Sequence, residues 1–294
     1  MMKKGIILLF AILQIFISCS SDYEEDYTPT IVVEGWIDEG EPPYVILSRN
    51  VPTSQDWQDV DNLTDYIVRW AKVTISDGTQ EVILTGMTDQ DYFPPYIYTT
   101  NKMVGESGKT YTLTVEYDDF HATAETTVPT SVPIDSVSVE RISGDDRYVS
   151  IKLHFTDPDP SQTNYYKVST IRNCESTQYT ASYFSLFSDQ TMTFYGPQHN
   201  HGIIPVTQNQ NYRHANSEYT SYFEISDTVQ IKFAHLSQSE YNFWEEAENM
   251  NNFSRNMFFS YFKNLPSNIN GGMGYFHGYG ASKTSFIIAE KISQ

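Results

Sequence analysis

The chain has 294 residues, with 18 lysines and arginines against 37 aspartates and glutamates, for a net charge of −19. Binding to nucleic acid rests on clustered cations that neutralise phosphates, so this balance excludes nucleic acid as a partner while leaving cation binding open. Two cysteines, Cys19 and Cys174, provide no disulfide framework, so the fold must stand on an apolar core, for which the length is ample.

The first element is a leader. Met1–Lys4 is a short basic start, and Gly5–Ile17 is apolar except for Gln14. The run is shorter than the roughly 20 residues a spanning helix needs, and it ends on a small residue, Ser18, which reads as a signal peptide over 1–18. Cys19 follows at once. Phe16-Ile17-Ser18-Cys19 resembles the bacterial lipobox, with phenylalanine where leucine is usual. A lipid on Cys19 would anchor the chain to a membrane, each buried methylene contributing about 0.8 kcal/mol. Residues 19–30 then form an anchor and acidic tether. Ser20, Ser21, Asp22, Glu24, Glu25 and Asp26 resemble the export signal that sends Bacteroidota lipoproteins to the outer face of the outer membrane. The plainer reading of the same acids is a solvated linker, because acidic polar tracts do not collapse.

Residues 31–130 read as short strands divided by turns, the pattern of an immunoglobulin-like β-sandwich. Runs expected to form strands are 31–37, 44–48, 66–70 and 72–76. Asp77-Gly78 is a tight-turn signal with a return strand over 80–84. Tyr111, Leu113, Val115 and Tyr117 alternate on one face, and 121–128 returns after Asp118-Asp119. The stretch 129–133, PTSVP, is the expected hinge.

Residues 134–294 read as a second β-rich domain with one α-helix. Strands are expected at 136–139, 149–155, 165–171 and 228–234, with 178–195 left open between long strands and a long loop. Ser237-Gln238-Ser239-Glu240 is a capping box, and Leu236 with Tyr241 forms a hydrophobic staple around it. Phe243, Ala247 and Met250 continue as a core-facing stripe, with Trp244 beside them, so a helix is expected near 238–251. A glycine-rich tail, 267–280, leads to a last strand at 285–289. The fold class is therefore mainly β: a sandwich, then a β-rich unit carrying a single helix.

Candidate chemistry is sparse. His199 and His201, two residues apart, would share a strand face and could hold a metal, but only His214 lies near as a third ligand, and exposed loop histidines are the plainer reading. Asp157, Asp159 and Asn164 offer oxygen ligands to calcium, the one cofactor with any support, although the spacing is not that of an EF-hand. The glycine tail lacks the lysine and hydroxyl of a phosphate loop, and its glycines read as allowing positive φ and close backbone packing. Cys174 reads as a small buried apolar residue. There is no G-x-S-x-G and no H-E-x-x-H, and no carboxylate pair stands out among so many acids, so no catalytic residue is assigned. Aromatics make up 15% of the chain, including 22 tyrosines, which suits both sheet faces and sugar or peptide sites. Tyr92, Phe93, Tyr96 and Tyr98, stiffened by Pro94-Pro95, form the first candidate surface for a ligand or partner, the equal alternative being aromatics packed between the two domains. Tyr275, Phe276 and Tyr279 are weaker candidates for the same role, core being the plainer reading.

Three blocks carry a family resemblance: IVVEGWIDEGEPPYVILSRNVP (31–52), NFWEEAENMNN (242–252) and LPSNINGGMGYFHGYGAS (265–282). With the lipobox and acidic tag, they make the chain similar to the Bacteroidota lipoproteins called domain of unknown function 4249. The resemblance implies a non-enzymatic surface lipoprotein of the outer membrane, facing the cell exterior. Its implied partner is a TonB-dependent receptor of the SusC-like class in nutrient uptake; for the ligand, an oligosaccharide, a peptide and a metal chelate all stay open. The family brings no catalytic motif. A structural, adhesion or outer-membrane assembly role is the alternative, and a hydrolase acting on glycan or peptide comes third.

Overall fold

The computed structural model describes residues 28–50, 65–174, 177–208, 222–251 and 265–289. Cys19 and the acidic residues of the tag lie outside the described residues, as does His214. Among the described residues no helix is long and apolar enough to cross a membrane.

Seventeen strands and one helix are described. The first half contains β1 (Ile31–Asp38), β2 (Tyr44–Arg49), β3 (Lys72–Ser76), β4 (Glu81–Ile83), β5 (Thr85–Thr88), β6 (Tyr96–Thr99), β7 (Thr110–Tyr117) and β8 (Phe120–Thr127). The second contains β9 (Ile134–Arg141), β10 (Tyr148–Thr156), β11 (Tyr165–Arg172), β12 (Thr180–Ser188), β13 (His201–Val206), β14 (Phe223–Glu224), β15 (Thr228–Leu236), the helix α1 (Gln238–Asn251), β16 (Ile269–Asn270) and β17 (Met273–Ile287). The chain is mainly β, with the expected helix in place.

One eight-stranded sheet spans the molecule in the order β12-β11-β15-β17-β1-β2-β6-β5. A five-stranded sheet (β16-β8-β7-β3-β4) covers one end of it, and a four-stranded sheet in which β10 pairs with β13, β14 and β9 covers the other. Strand alternation explains why both small sheets lie on the same side. On β1, Ile31, Val33 and Ile37 meet Val73, Ile75, Leu113 and Val115 in the first core. On β15, Val229, Ile231 and Phe233 meet Ile151, Leu153 and Phe155 in the second. The opposite face of the large sheet is left to other side chains, and that face carries the candidate site.

β17 joins the two halves. It runs parallel to β1, with Gly274 opposite Val33, and antiparallel to β15, with Lys283 opposite Lys232. The last strands therefore do not stay on their own side of the 129–133 connection: β16 pairs with β8, and β17 with β1.

Several local expectations change. The last strand, expected at 285–289, is longer and starts earlier: β17 begins at Met273, within the glycine tail. Gly271 has φ +82, and a Cβ there would lie 2.2 Å from the His121 carbonyl oxygen, so the positive φ and close approach are both present. Residues 66–70 form no strand; Ile67 makes one isolated bridge to Ser48, and Trp70 has φ 67 with its ring exposed. Cys174 is exposed, because it sits in a left-handed turn after Asn173 and not on a strand. The turn at Asp77 forms as expected, its Oδ1 accepting the Thr79 and Gln80 amides at 2.9 Å each.

The capping box closes in full. The Glu240 amide donates to Ser237 Oγ at 3.3 Å, and Glu240 Oε2 accepts from the Ser237 amide at 2.9 Å and its hydroxyl at 3.0 Å. The second oxygen of Glu240 accepts from the Gly278 amide at 2.6 Å, which fastens the helix start to β17. Glu240 is buried, and Glu240→Ala would leave these donors without an acceptor. The expected result is a loss of about 3 kcal/mol in urea unfolding. A loss under about 1 kcal/mol would show that the carboxylate does not hold the helix to the sheet.

Candidate functional site

The outer face of the large sheet is polar and aromatic where a sheet covered on both faces would be aliphatic. β1 presents Glu34, Trp36 and Asp38 at every second position; β2 adds Tyr44 and Ile46; β11 adds Lys167 and Ser169. β15 adds Lys232 and Ala234, and β17 adds His277, Tyr279 and Lys283. Together with Trp244 of α1 and two connecting segments, they line a cavity of about 750 Å³. Ligand pockets typically span roughly 300–1,000 Å³. One segment, between β5 and β6, brings Asp89, Asp91, Tyr92 and Phe93; the other, between β11 and β12, brings Thr177, Gln178 and Tyr179. The Thr177 hydroxyl donates to Asp91 Oδ2 at 2.8 Å and ties the two segments together.

The walls are ring systems. Trp36, Tyr44 and Tyr92 stack with centroids 5.5–5.9 Å apart. His277 lies between Tyr275 and Tyr279 along β17, at 4.6 and 5.3 Å, with Trp244 stacked on it at 5.1 Å. Trp244 Nε1 donates to the Tyr279 hydroxyl at 2.9 Å, so the helix fixes the ring that it covers.

The charges are graded by pairing. Lys232 Nζ lies 2.5 Å from Asp38 Oδ2. Lys283 Nζ lies 2.9 Å from Glu41 Oε1 and 3.7 Å from Asp38 Oδ2. Lys167 is 8% exposed and has its Nζ 2.8 Å from the centre of the Trp244 ring. It has no carboxylate within ion-pair distance among the described residues. Buried Glu34 Oε2, Asp38 Oδ1 and His277 Nδ1 have no hydrogen-bond partner among the described residues.

Protonation equilibria follow from this burial. Burial pushes the Glu34 carboxyl up to about 7, against the pull of Lys167. Burial also takes Glu240 to about 7, opposed by the bonds from Gly278 and Ser237. Burial lowers Lys167 well below an ordinary lysine, with Glu248, Glu34 and Glu240 acting the other way and Lys232 reinforcing the shift. His277 is lowered by burial and by the two lysines, Lys167 and Lys232.

The candidate surface at 92–98 divides. Tyr92 and Phe93 line the cavity, whereas Tyr96 packs against the first core. Tyr98 is buried in that core, donating to the Val68 carbonyl and accepting from the Ala71 amide at 3.0 Å each. Tyr98 is thus a core residue and not a contact residue, because β6 alternates and turns its ring inward. Of the tail aromatics, all three are buried: Phe276 in the first core, Tyr275 in a cluster with Phe243, and Tyr279, on the other face of β17, in a cluster with Leu236 while its ring also lines the cavity. The three lysines and the acids of β1 were missed, although charges at alternate positions of an apolar strand are a visible signal.

The metal candidates do not join this cavity. His201 Nε2 lies 3.2 Å from His154 Nδ1, and His199 adopts φ 52 in the preceding turn. The Asn164 side-chain amide donates to Asp157 Oδ1 and Asp189 Oδ2, placing a donor between those acids. Asp159 Oδ1 is occupied by the Ser161 amide and hydroxyl. Among the described residues, no group of three or more histidines, cysteines or acids could hold a metal ion.

The fold and cavity define a mainly β protein in which one long sheet, backed by two smaller ones, holds a ligand-sized cavity on its free face. Residues 19–285 match the sequence model of the family described as "Domain of unknown function (DUF4249)", and the chain belongs to that family. A search of curated proteins finds no match.

Proposed function

We propose that this chain is a lipid-anchored lipoprotein on the outer face of the outer membrane, a non-enzymatic accessory of a TonB-dependent nutrient-uptake system that holds its ligand in the sheet-face cavity. The cavity is the observation that carries the reading. It combines aromatic walls with buried polar atoms that lack partners among the described residues, the composition expected of a small-molecule site. The lipobox at Cys19 and the acids after it support the address, and the family resemblance supports the transporter as partner.

The test is a mild-detergent pull-down of the full-length lipoprotein from its native membrane, with partners identified by mass spectrometry. A stoichiometric TonB-dependent receptor is the expected result; recovery of the lipoprotein without a receptor overturns the transporter role. The address is tested separately. Changing Asp22, Glu24, Glu25 and Asp26 to alanine is expected to abolish surface labelling of intact cells while the protein stays in the membrane fraction. Unchanged labelling would reduce the acids to a tether.

A further inference from the structure

We propose that the cavity is a zwitterion site that takes a short peptide with free ends, Lys167 receiving the carboxylate and Asp38 with Glu34 receiving the ammonium. This rests on the ligand-binding reading above and names the class of ligand.

Consider first what the site leaves unmatched. A buried ammonium without a counter-charge is costly, and a fold keeps one only when something offsets it. Lys232 and Lys283 have their carboxylates at contact distance, but Lys167 has the Trp244 ring face and no ion pair among the described residues, Glu248, Glu34 and Glu240 acting on it only from beyond ion-pair distance. Its Nζ therefore suits a compact anion entering from the cavity. The acids carry the complementary signal. Asp38 Oδ1 and Glu34 Oε2 are buried without a donor among the described residues, although Asp38 Oδ2 is already bound by Lys232. His277 Nδ1, also without a partner, offers a further polar contact on the same floor.

A purely anionic ligand would face five acids against three lysines in the cavity lining, and a purely cationic one would leave Lys167 unmatched. A neutral oligosaccharide could stack on Trp36 and Tyr92 but would bring no charge to either end. A molecule carrying both charges on a chain satisfies the two sets together. The cavity, at about 750 Å³, is larger than a single amino acid requires, which favours a short peptide.

The experiment uses the full-length lipoprotein in mild detergent. It is dialysed to equilibrium against a defined library of free tripeptides and, in parallel, against neutral cello-oligosaccharides; the retained ligands are measured by mass spectrometry. The best-retained tripeptide is then titrated calorimetrically as the free acid, the C-terminal amide and the N-acetyl form. The expected result is retention of tripeptides, with each blocked end weakening binding by about ten-fold or more, the effect of losing one charge-assisted contact. Lys167→Met is expected to remove the difference between acid and amide, and Lys167→Arg to restore part of it. Retention of no tripeptide, or equal affinity for acid and amide in the unmodified protein, overturns the proposal without reference to any variant. Retention of oligosaccharide alone overturns it while leaving ligand capture standing. Recovery of the receptor in the pull-down tests the transporter role independently of either outcome.

Discussion

Gly274→Ala is expected to cost more stability than any other single methyl group added to this chain. Gly274 lies opposite Val33 in the parallel pair of β1 and β17, the joint between the two ends of the sequence. Its φ is +105, and a Cβ there would stand 2.0 Å from the Val33 carbonyl oxygen and 2.8 Å from its carbon. The backbone conformation alone costs roughly 1–3 kcal/mol for an L-residue. The contact adds to that, because a carbonyl within a ladder cannot turn aside as the end of a flexible side chain can. An expected loss of at least about 4 kcal/mol is a large share of the roughly 5–15 kcal/mol that holds a typical domain. Gly40→Ala is the control. It has φ +76 with nothing within 4 Å of the added Cβ, so only the backbone cost applies, about 1 kcal/mol. Urea unfolding of both variants separates the two causes. Equal losses would show that the close approach between β17 and β1 is relieved by a small shift and is not a fixed feature of the joint.

The local elements were open to reading because their signals lie within a few residues of one another. The capping box at Ser237 and Glu240, the turn at Asp77-Gly78 and the alternation of 110–117 each became the element expected. What the sequence concealed is pairing at long range. Nothing in 31–38 or 273–287 taken alone says that the two segments lie side by side, since a parallel pair is joined by a long connection and leaves no hairpin signal. The cavity was hidden for the same reason, as its lining comes from stretches more than 200 residues apart. Glu34 and Asp38 did break the apolar pattern of β1, yet an acid on a strand face usually means solvent. Here the face belongs to the middle of an eight-stranded sheet roofed by α1 and by the segments carrying Tyr92 and Tyr179, so the acids are enclosed. Lys167 gave still less warning, because a lysine on a strand is ordinarily exposed. The Tyr92–Tyr98 stretch was half legible: the loop half reaches the cavity, and strand alternation takes Tyr98 into the core.

Glu34→Gln is expected to stabilise the protein at pH 8 and to leave its stability almost unchanged at pH 4. Burial moves the Glu34 carboxyl from 4.5 to about 7 in the folded chain. The folded state therefore holds this proton more tightly than the unfolded state does. The stability that the protonated acid contributes is fully present below pH 4.5 and is lost as pH rises through about 7. Above that window the wild type carries a desolvated carboxylate at a cost of up to about 3 kcal/mol, which a neutral amide of the same shape avoids. Glu240, also shifted to about 7, is common to both proteins and cancels in the difference, as do Lys167 and His277 to the extent that their neighbours are unchanged. Lys167 draws on Glu34 for part of its counter-charge, so the gain at pH 8 is an upper bound. Urea unfolding at pH 4, 6 and 8 checks the prediction, the gap between variant and wild type opening progressively across the series. A gap of constant size would mean that Glu34 does not titrate in that window. The direction of the effect matters for function as well. A carboxylate that weakens the fold at neutral pH, facing a cavity with a lysine that has no ion pair among the described residues, is what a protein keeps when the group is needed by something that enters from outside, and stability is the property that yields.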